Sequence, residues 1–260
     1  MDQTVTKDDC CTASETRDDN YDLIVVGAGS AGFSASITAA DAGKRVALIG
    51  HGTTGGTCVN VGCVPSKAMI RAAEAVHGGA SAARFPGVEP CDHAVDWGAV
   101  VQGTTDLVEE MRHKKYIDLL PAYKSVTYIE DGPARLVEGG VAVGGRVISA
   151  PRVLIATGSR PHLPAIEGID TVEPLDSTDL LTLPDRPESI LVLGGGYIGC
   201  ELAQMASRLG VKVTLVTRSR LLPGAEPEVA QALTQALKAE DIAVETGLAY
   251  VSVAKAAGGV

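Results

Sequence analysis

The sequence predicts an α/β fold built from two Rossmann-like units, and three observations predict it. Apolar runs of strand length stand just before two Gly-x-Gly-x-x-Gly loops, at residues 27–32 and 194–199. Each loop opens a segment of helix length. Each of those segments leads into a second apolar run. Strand–loop–helix–strand is the order of a βαβ unit, and in that context a glycine loop says far more than the bare pattern does.

The first unit begins with Tyr21 to Val26, a continuous apolar run that reads as a buried strand. Gly27-Ala28-Gly29-Ser30-Ala31-Gly32 follows, then a helix rich in Ala and Ser through Ala42, then the strand Lys44 to Ile49. The first glycine permits a tight turn, the second admits a pyrophosphate, and the third lets helix and strand pack closely. The helix N-terminus adds amide donors and a favourable dipole. An acidic residue is expected at the end of the second strand to hold an adenosine ribose. Gly50 and His51 stand there instead. Ribose recognition must then come from backbone groups, from His51 or from elsewhere, and a solvated loop is the preferred reading of His51.

Next comes the most specific stretch, Gly55-Gly56-Thr57-Cys58-Val59-Asn60-Val61-Gly62-Cys63-Val64-Pro65-Ser66-Lys67. Residues five apart on a regular helix are separated by about 7.5 Å along its axis. A disulfide needs its Cα atoms within about 7 Å. Cys58 and Cys63 therefore cannot pair on an ideal helix. Gly62 and Pro65 favour a distorted turn leading into a helix. Gly55 and Gly56 would let the backbone approach a flat ring system, and a thiolate near a helix N-terminus suits exchange chemistry. The pattern describes a redox-active pair set against a flavin. The alternatives are a zinc site, which lacks a second ligand pair at the usual spacing, and two buried thiols.

Between the units, Asp96 to Leu120 has helical apolar spacing. Val126 to Leu136 and Val141 to Ile148 alternate like strands, with Gly139-Gly140 and Gly144-Gly145 as turns. Val153 to Ala156 is a buried strand ending at Thr157-Gly158. The proline-rich stretch Pro161 to Pro187 reads as a crossing. The second unit runs from the strand Ser189 to Leu193 through Gly194-Gly195-Gly196-Tyr197-Ile198-Gly199 and a helix to Leu209. Gly210 caps that helix and the strand Lys212 to Thr217 follows. Arg218 and Arg220 come next where an acid would select NADH, and two guanidinium groups suit the 2′-phosphate of NADPH. Ordinary surface charge is the other reading of both.

Bulk properties narrow the function classes. A chain of 260 residues with 45% hydrophobic content buries a substantial core. A formal charge of −10 argues against nucleic acid or an anionic membrane as partner. No apolar run is long enough to span a bilayer. Residues 1–20 are acidic and polar, unlike a signal peptide, and read as a disordered tail. Six cysteines in a chain of this size do not make a secreted framework. The expected compartment is the cytoplasm, where a Cys58–Cys63 bridge would be catalytic.

The order of these motifs resembles the pyridine nucleotide–disulfide oxidoreductases over Tyr21 to the end of the chain. Within that family, Cys63 to Ala73 and Met111-Arg112-His113-Lys114-Lys115-Tyr116 look like the mercuric reductase branch. The resemblance implies an FAD domain over residues 21–160 and an NAD(P)H domain, incomplete here, over 161–260, in a three-layer ββα architecture. It also implies a carboxyl-terminal dimerisation domain, absent from this sequence, and a homodimer when the protein is full length. FAD would be held by Gly27, Gly29, Ser30, Ala31, Gly32, Gly56, Thr57, Lys67, Thr157 and Gly158. NADPH would be held by Gly194, Gly196, Tyr197, Ile198, Gly199, Arg218 and Arg220.

By the same resemblance, hydride passes from NADPH through FAD to Cys58 and Cys63. Cys63 is then the flavin-proximal sulfur and Cys58 the exchanging one, and the pair coordinates Hg(II) delivered as a thiol complex for reduction to Hg(0). Lys67 near the flavin pairs with Glu201, and Tyr197 covers the nicotinamide pocket. The plain alternatives are a surface lysine, a helix-face glutamate and a packed aromatic. The vicinal Cys10-Cys11 could capture metal, although inert thiols in a tail are the preferred reading. A reductase of dihydrolipoamide or another small disulfide is the first alternative activity, and a non-catalytic flavin- or metal-binding fragment is the second.

Overall fold

The computed structural model describes residues 20–256. Cys10 and Cys11 lie outside the described residues, as does the tail before Asn20. Strands β1 (Leu23–Val26), β2 (Val46–Ile49), β3 (Val126–Ile129) and β7 (Val153–Ile155) form a parallel sheet in the order β3-β2-β1-β7. Successive side chains of a strand point to opposite faces, so strands covered on both faces, such as β1 and β2, read as unbroken apolar runs, whereas β7, expected to be buried, is exposed at Val153, Leu154 and Ile155. Ile24, Ala47, Ile49 and Ile129 pack one face against Val141, Val143 and Ile148. Val25, Val46 and Leu48 pack the other against Phe33, Val59 and Tyr116.

The first of those faces is covered by an antiparallel meander, β4 (Arg135–Val137), β5 (Gly140–Val143) and β6 (Arg146–Ile148). The second is covered by helices, beginning with α1 (Ser30–Asp41), which crosses from β1 to β2. Meander, parallel sheet and helices make three layers. One expectation is corrected here: the single strand foreseen over Val126 to Leu136 is two strands in different sheets. Gly132 adopts φ +114° and Pro133 has no N–H to donate, so the ladder stops after β3 and the chain changes layer.

The helices that follow the cysteines reach further. The short α2 (Gly56–Asn60) gives way to α3 (Cys63–Ala80), and α4 (Trp97–Arg112) packs beside it. The Asp96 carboxylate caps α4 by accepting the Ala99 N–H at 3.0 Å. The helical segment expected to Leu120 leaves the α-helix after Arg112, where a wider turn over His113–Ile117 buries the Tyr116 ring. The proline-rich crossing carries an unforeseen helix, α5 (Ser177–Thr182), closed at its start by reciprocal bonds between Asp176 and Asp179.

A second parallel sheet, in the order β10-β9-β8, comprises β8 (Ser189–Leu193), β9 (Lys212–Thr217) and β10 (Ala243–Thr246). Its crossover helices are α6 (Tyr197–Arg208) and α7 (Pro227–Ala239). Ala203, Met205 and Leu209 meet Val213 and Leu215 in a core that also takes in Met69 and Ala73 of α3 and Trp97 of α4. Burying a large apolar side chain contributes about 1.5–3 kcal/mol, so this shared core holds α3 firmly against α6. Among the described residues no helix is long and apolar enough to cross a membrane.

A polar cluster closes the far end of that packing. Arg208 donates to both Glu240 oxygens, at 2.6 and 2.7 Å. Gln204 donates to the same carboxylate at 2.9 Å, and His77 Nδ1 of α3 lies 3.9 Å from it. Burial alone would push the Glu240 carboxyl up, but the Arg208 guanidinium, helped by His77 and Gln204, holds it below the ordinary carboxylate value. A carboxylate depressed on folding stabilises fully above its unfolded value, near pH 4–5, and that contribution is lost as the pH falls through the folded value. Denaturant melts between pH 7 and pH 3 will show a shallower acid loss of stability in Glu240→Gln than in the wild type. Arg208→Ala will cost about 2 kcal/mol at pH 7.

Candidate active site

Two close backbone contacts build the centre of the site. A Cβ on Gly32 would overlap the Gly27 carbonyl oxygen, which draws α1 tightly onto the end of β1. Gly27 itself, at φ +117°, lies against the Ala156 carbonyl beyond β7. The second contact joins the glycine loop to the cysteine segment. Gly55 N–H donates to Ala28 O at 2.9 Å, and Gly29 and Gly55 form a parallel bridge. A Cβ on Gly56, which has φ +69°, would stand 2.7 Å from Gly29 Cα. The Cys58 segment is thereby docked, backbone on backbone, against the loop that opens α1.

The two cysteines meet because they belong to different helices. Cys58 is the third residue of α2 and Cys63 the first of α3. At the junction, a Cβ on Gly62 would lie 3.0 Å from Thr57 O and 3.4 Å from Cys58 Cα. Glycine at this junction lets the second helix fold back onto the first without crowding the Thr57 carbonyl. Both sulfurs are thiols in this structure, Cys58 half-buried and Cys63 exposed. The hydrogen bond to Cys63, then burial, pushes the Cys58 thiol up, while the charge of Lys115 opposes the rise. Among the described residues no three His, Cys, Asp or Glu side chains gather as a metal site, so the zinc alternative finds no further ligands.

The residues expected to hold FAD line this junction. The uncapped N-terminus of α1 presents the N–H groups of Ser30, Ala31 and Gly32 beside the glycine cradle, and this fits a pyrophosphate. Ser30 Oγ is 2.9 Å from the Tyr116 hydroxyl, which fixes that first turn. Thr57 Oγ1 donates to Ser159 O at 3.4 Å and so tethers α2 to the turn at Thr157 and Gly158. Lys67 stands one helical turn beyond Cys63 on α3. Its ammonium reaches Glu201 of α6 at 2.5 Å.

That ion pair connects the cysteines to the second glycine loop, because Glu201 lies one turn after Tyr197. The second loop repeats the geometry of the first: Gly194 has φ +118°, and a Cβ on Gly199 would overlap the Gly194 carbonyl oxygen. Gly196 is the N-cap of α6, and Tyr197 and Ile198 are 69% and 62% exposed, available to a ligand over the loop. The two arginines differ. Arg218 is exposed and has no partner among the described residues. Arg220 donates to Pro223 O and Ala225 O at 3.1 and 2.6 Å, tying down its own loop.

Sequence reasoning passed over several residues that hold the site. Asn60 donates to Thr54 O and Gly56 O at 3.0 and 2.8 Å and accepts from Arg112 at 3.2 Å. It locks the glycine turn to α4. Its place inside the cysteine motif was the available signal. Tyr116 stands in the sequence as a helix position and as the end of the segment that resembles mercuric reductases, with nothing local to mark its contact with Ser30. Of the other cysteines, Cys200 is buried in the core, and Cys91 is exposed. In the reduced protein, Cys63→Ala will speed alkylation of Cys58 by iodoacetamide at pH 7–8, because removing the main cause of its raised value enlarges the thiolate fraction. Rates followed by peptide mass spectrometry will show the increase.

The model of the pyridine nucleotide-disulphide oxidoreductase family matches residues 21–259. A mercuric reductase of Streptomyces lividans is 44% identical over 234 residues, covering 87% of this chain and 48% of that protein. One from Staphylococcus aureus is 40% identical, covering 91% and 43%. The chain thus spans about half the length of the curated relatives it matches. A solved structure of the HOCl-induced flavoprotein disulfide reductase RclA from Escherichia coli superposes with a TM-score of 0.75 at 28% identity, covering 88% of this chain and 49% of that one. FAD and NADPH are the cofactors that go with this family. With the family model matched from Tyr21 onward, the paired thiols seated on one glycine loop and the ion pair leading to a second, the chain belongs to the pyridine nucleotide-disulphide oxidoreductase family.

Proposed function

We propose that the full-length gene product is an FAD-containing, NADPH-dependent mercuric reductase. The observation that carries the reading is the docking of Gly55 and Gly56 on Gly29, which sets Cys58 and Cys63 beside the loop suited to FAD. The names of the relatives from Streptomyces lividans and Staphylococcus aureus support Hg(II) as the acceptor. Soft thiolates suit a soft metal ion, and two sulfurs held together can bind it as a pair. In this reading residues 21–160 serve FAD and residues 161–260 serve NADPH. The homodimer and the cytoplasmic location belong to the same reading.

FAD, when bound, would supply two-electron transfer from the nicotinamide to the sulfur pair and to Hg(II) held on the reduced pair. The overall reaction balances as NADPH plus Hg(II) giving NADP⁺, Hg(0) and one proton. The chain's own residues do the rest. Cys58 and Cys63 receive Hg(II) from its thiol complex by ligand exchange, and their protons leave as the sulfurs bind metal. Lys67, fixed by Glu201, holds a positive charge one turn from Cys63. Tyr197, exposed at the start of α6, would cover the nicotinamide, and the exposed Arg218 would bind the 2′-phosphate.

NADPH oxidation by the full-length gene product with Hg(II) in excess thiol tests the reading. Turnover will be Hg(II)-dependent and will fall at least about a thousandfold in Cys58→Ala and Cys63→Ala. Turnover with oxidised glutathione or lipoamide alone would instead favour a small-disulfide reductase, the reading that the flavoprotein disulfide reductase neighbour suggests. Arg218→Ala will raise the KM for NADPH about tenfold or more and leave that for NADH unchanged.

A further inference from the structure

The first glycine loop lacks the carboxylate that should follow β2, and in this structure the end of the Tyr128 side chain takes the space a side chain at Gly50 would need. Ile49 pairs with Ile129, so Gly50 lies alongside Glu130 on the neighbouring strand, and Gly50 N–H donates to Ile129 O at 2.9 Å. A side chain at Gly50 would overlap the Tyr128 hydroxyl and ring. That hydroxyl donates to Glu130 Oε1 at 2.8 Å, and Thr54 Oγ1 lies 2.9 Å from the hydroxyl and 3.3 Å from the same carboxylate oxygen. Burial pushes the Tyr128 phenol up to about 12, so the hydroxyl stays a donor at physiological pH. His51 is exposed.

We propose that Glu130, delivered from the end of β3 and aimed by Tyr128 and Thr54, is the carboxylate that binds the adenosine ribose hydroxyls of FAD in this chain. A dinucleotide on a Rossmann loop places its adenosine ribose at the end of the second strand, where an acid accepts its hydroxyl protons. Here Tyr128 fills the space such an acid would need, and Glu130 stands one hydroxyl away from it. Tyr128 and Thr54 occupy only Oε1, which leaves Oε2 of Glu130 to accept from a ligand. Tyr128 is a positioning residue, and Glu130 is the group that touches the cofactor.

The inference rests on the reading that the Gly27–Gly32 loop holds FAD, and the test separates the two. Apoprotein of the full-length gene product is titrated with FAD and with its 2′,3′-dideoxyadenosine analogue, with flavin fluorescence as the readout. Wild-type protein will bind FAD about 10–100-fold more tightly than the analogue, as a hydrogen bond to a charged group implies. Glu130→Gln will lose most of that preference while binding the analogue as the wild type does. Tyr128→Phe, which keeps the ring and removes the donor, will lose a smaller part. Equal preference in wild type and Glu130→Gln overturns the inference alone. Equal weakening of both ligands in Glu130→Gln also overturns it, since the residue would then act through the fold. Failure of the wild type to bind FAD overturns the underlying reading.

Discussion

The contact of Gly55 and Gly56 with Gly29 is the constraint on which the rest of the site depends. The approach needs a glycine at position 56, where a Cβ would stand 2.7 Å from Gly29 Cα. The approach sets the start of α2, and α2 sets Cys58. Gly62 then folds α3 back so that Cys63 meets Cys58. Asn60, Arg112 and Tyr116 brace the arrangement from the side of α4. Because α3 also enters the core of the second sheet, one helix carries Cys63 at its start, Lys67 one turn on, and Met69 and Ala73 in the packing with α6. The chemistry of the sulfurs and the placing of the second glycine loop thus share one rigid element.

Much of this was legible in the sequence, for reasons that differ by element. Runs such as Leu23 to Val26 and Val46 to Ile49 are apolar on both faces because they are covered on both faces. The first is followed by a glycine loop that opens a helix, so the βαβ unit could be read directly. The impossibility of a Cys58–Cys63 contact on one regular helix pointed to a break, and the break falls at Val61 and Gly62. The Lys67–Glu201 contact, 134 positions apart, came from resemblance rather than from any local pattern, and the structure sets the two side chains 2.5 Å apart.

The parts that were not legible depend on tertiary contacts. Alternation continued from Val126 to Leu136, yet Asp131-Gly132-Pro133 carries the chain out of one sheet and into another. Periodicity alone cannot report a change of sheet. The role of Tyr116 depends on a widened turn after Arg112 that brings its hydroxyl to Ser30 across 86 positions. The carboxylate missing at Gly50 was visible as a gap. Its counterpart at Glu130 could be found only from the register of β2 with β3.

Reductive titration of the full-length flavoprotein, without acceptor and with iodoacetamide trapping, tests most directly the claim that Cys58 and Cys63 sit in redox contact with the ligand of the first glycine loop. The account predicts uptake of two electrons beyond those taken by the flavin, with Cys58 and Cys63 appearing together as newly alkylated residues. Uptake limited to the flavin, with both cysteines labelled equally before and after reduction, would contradict it.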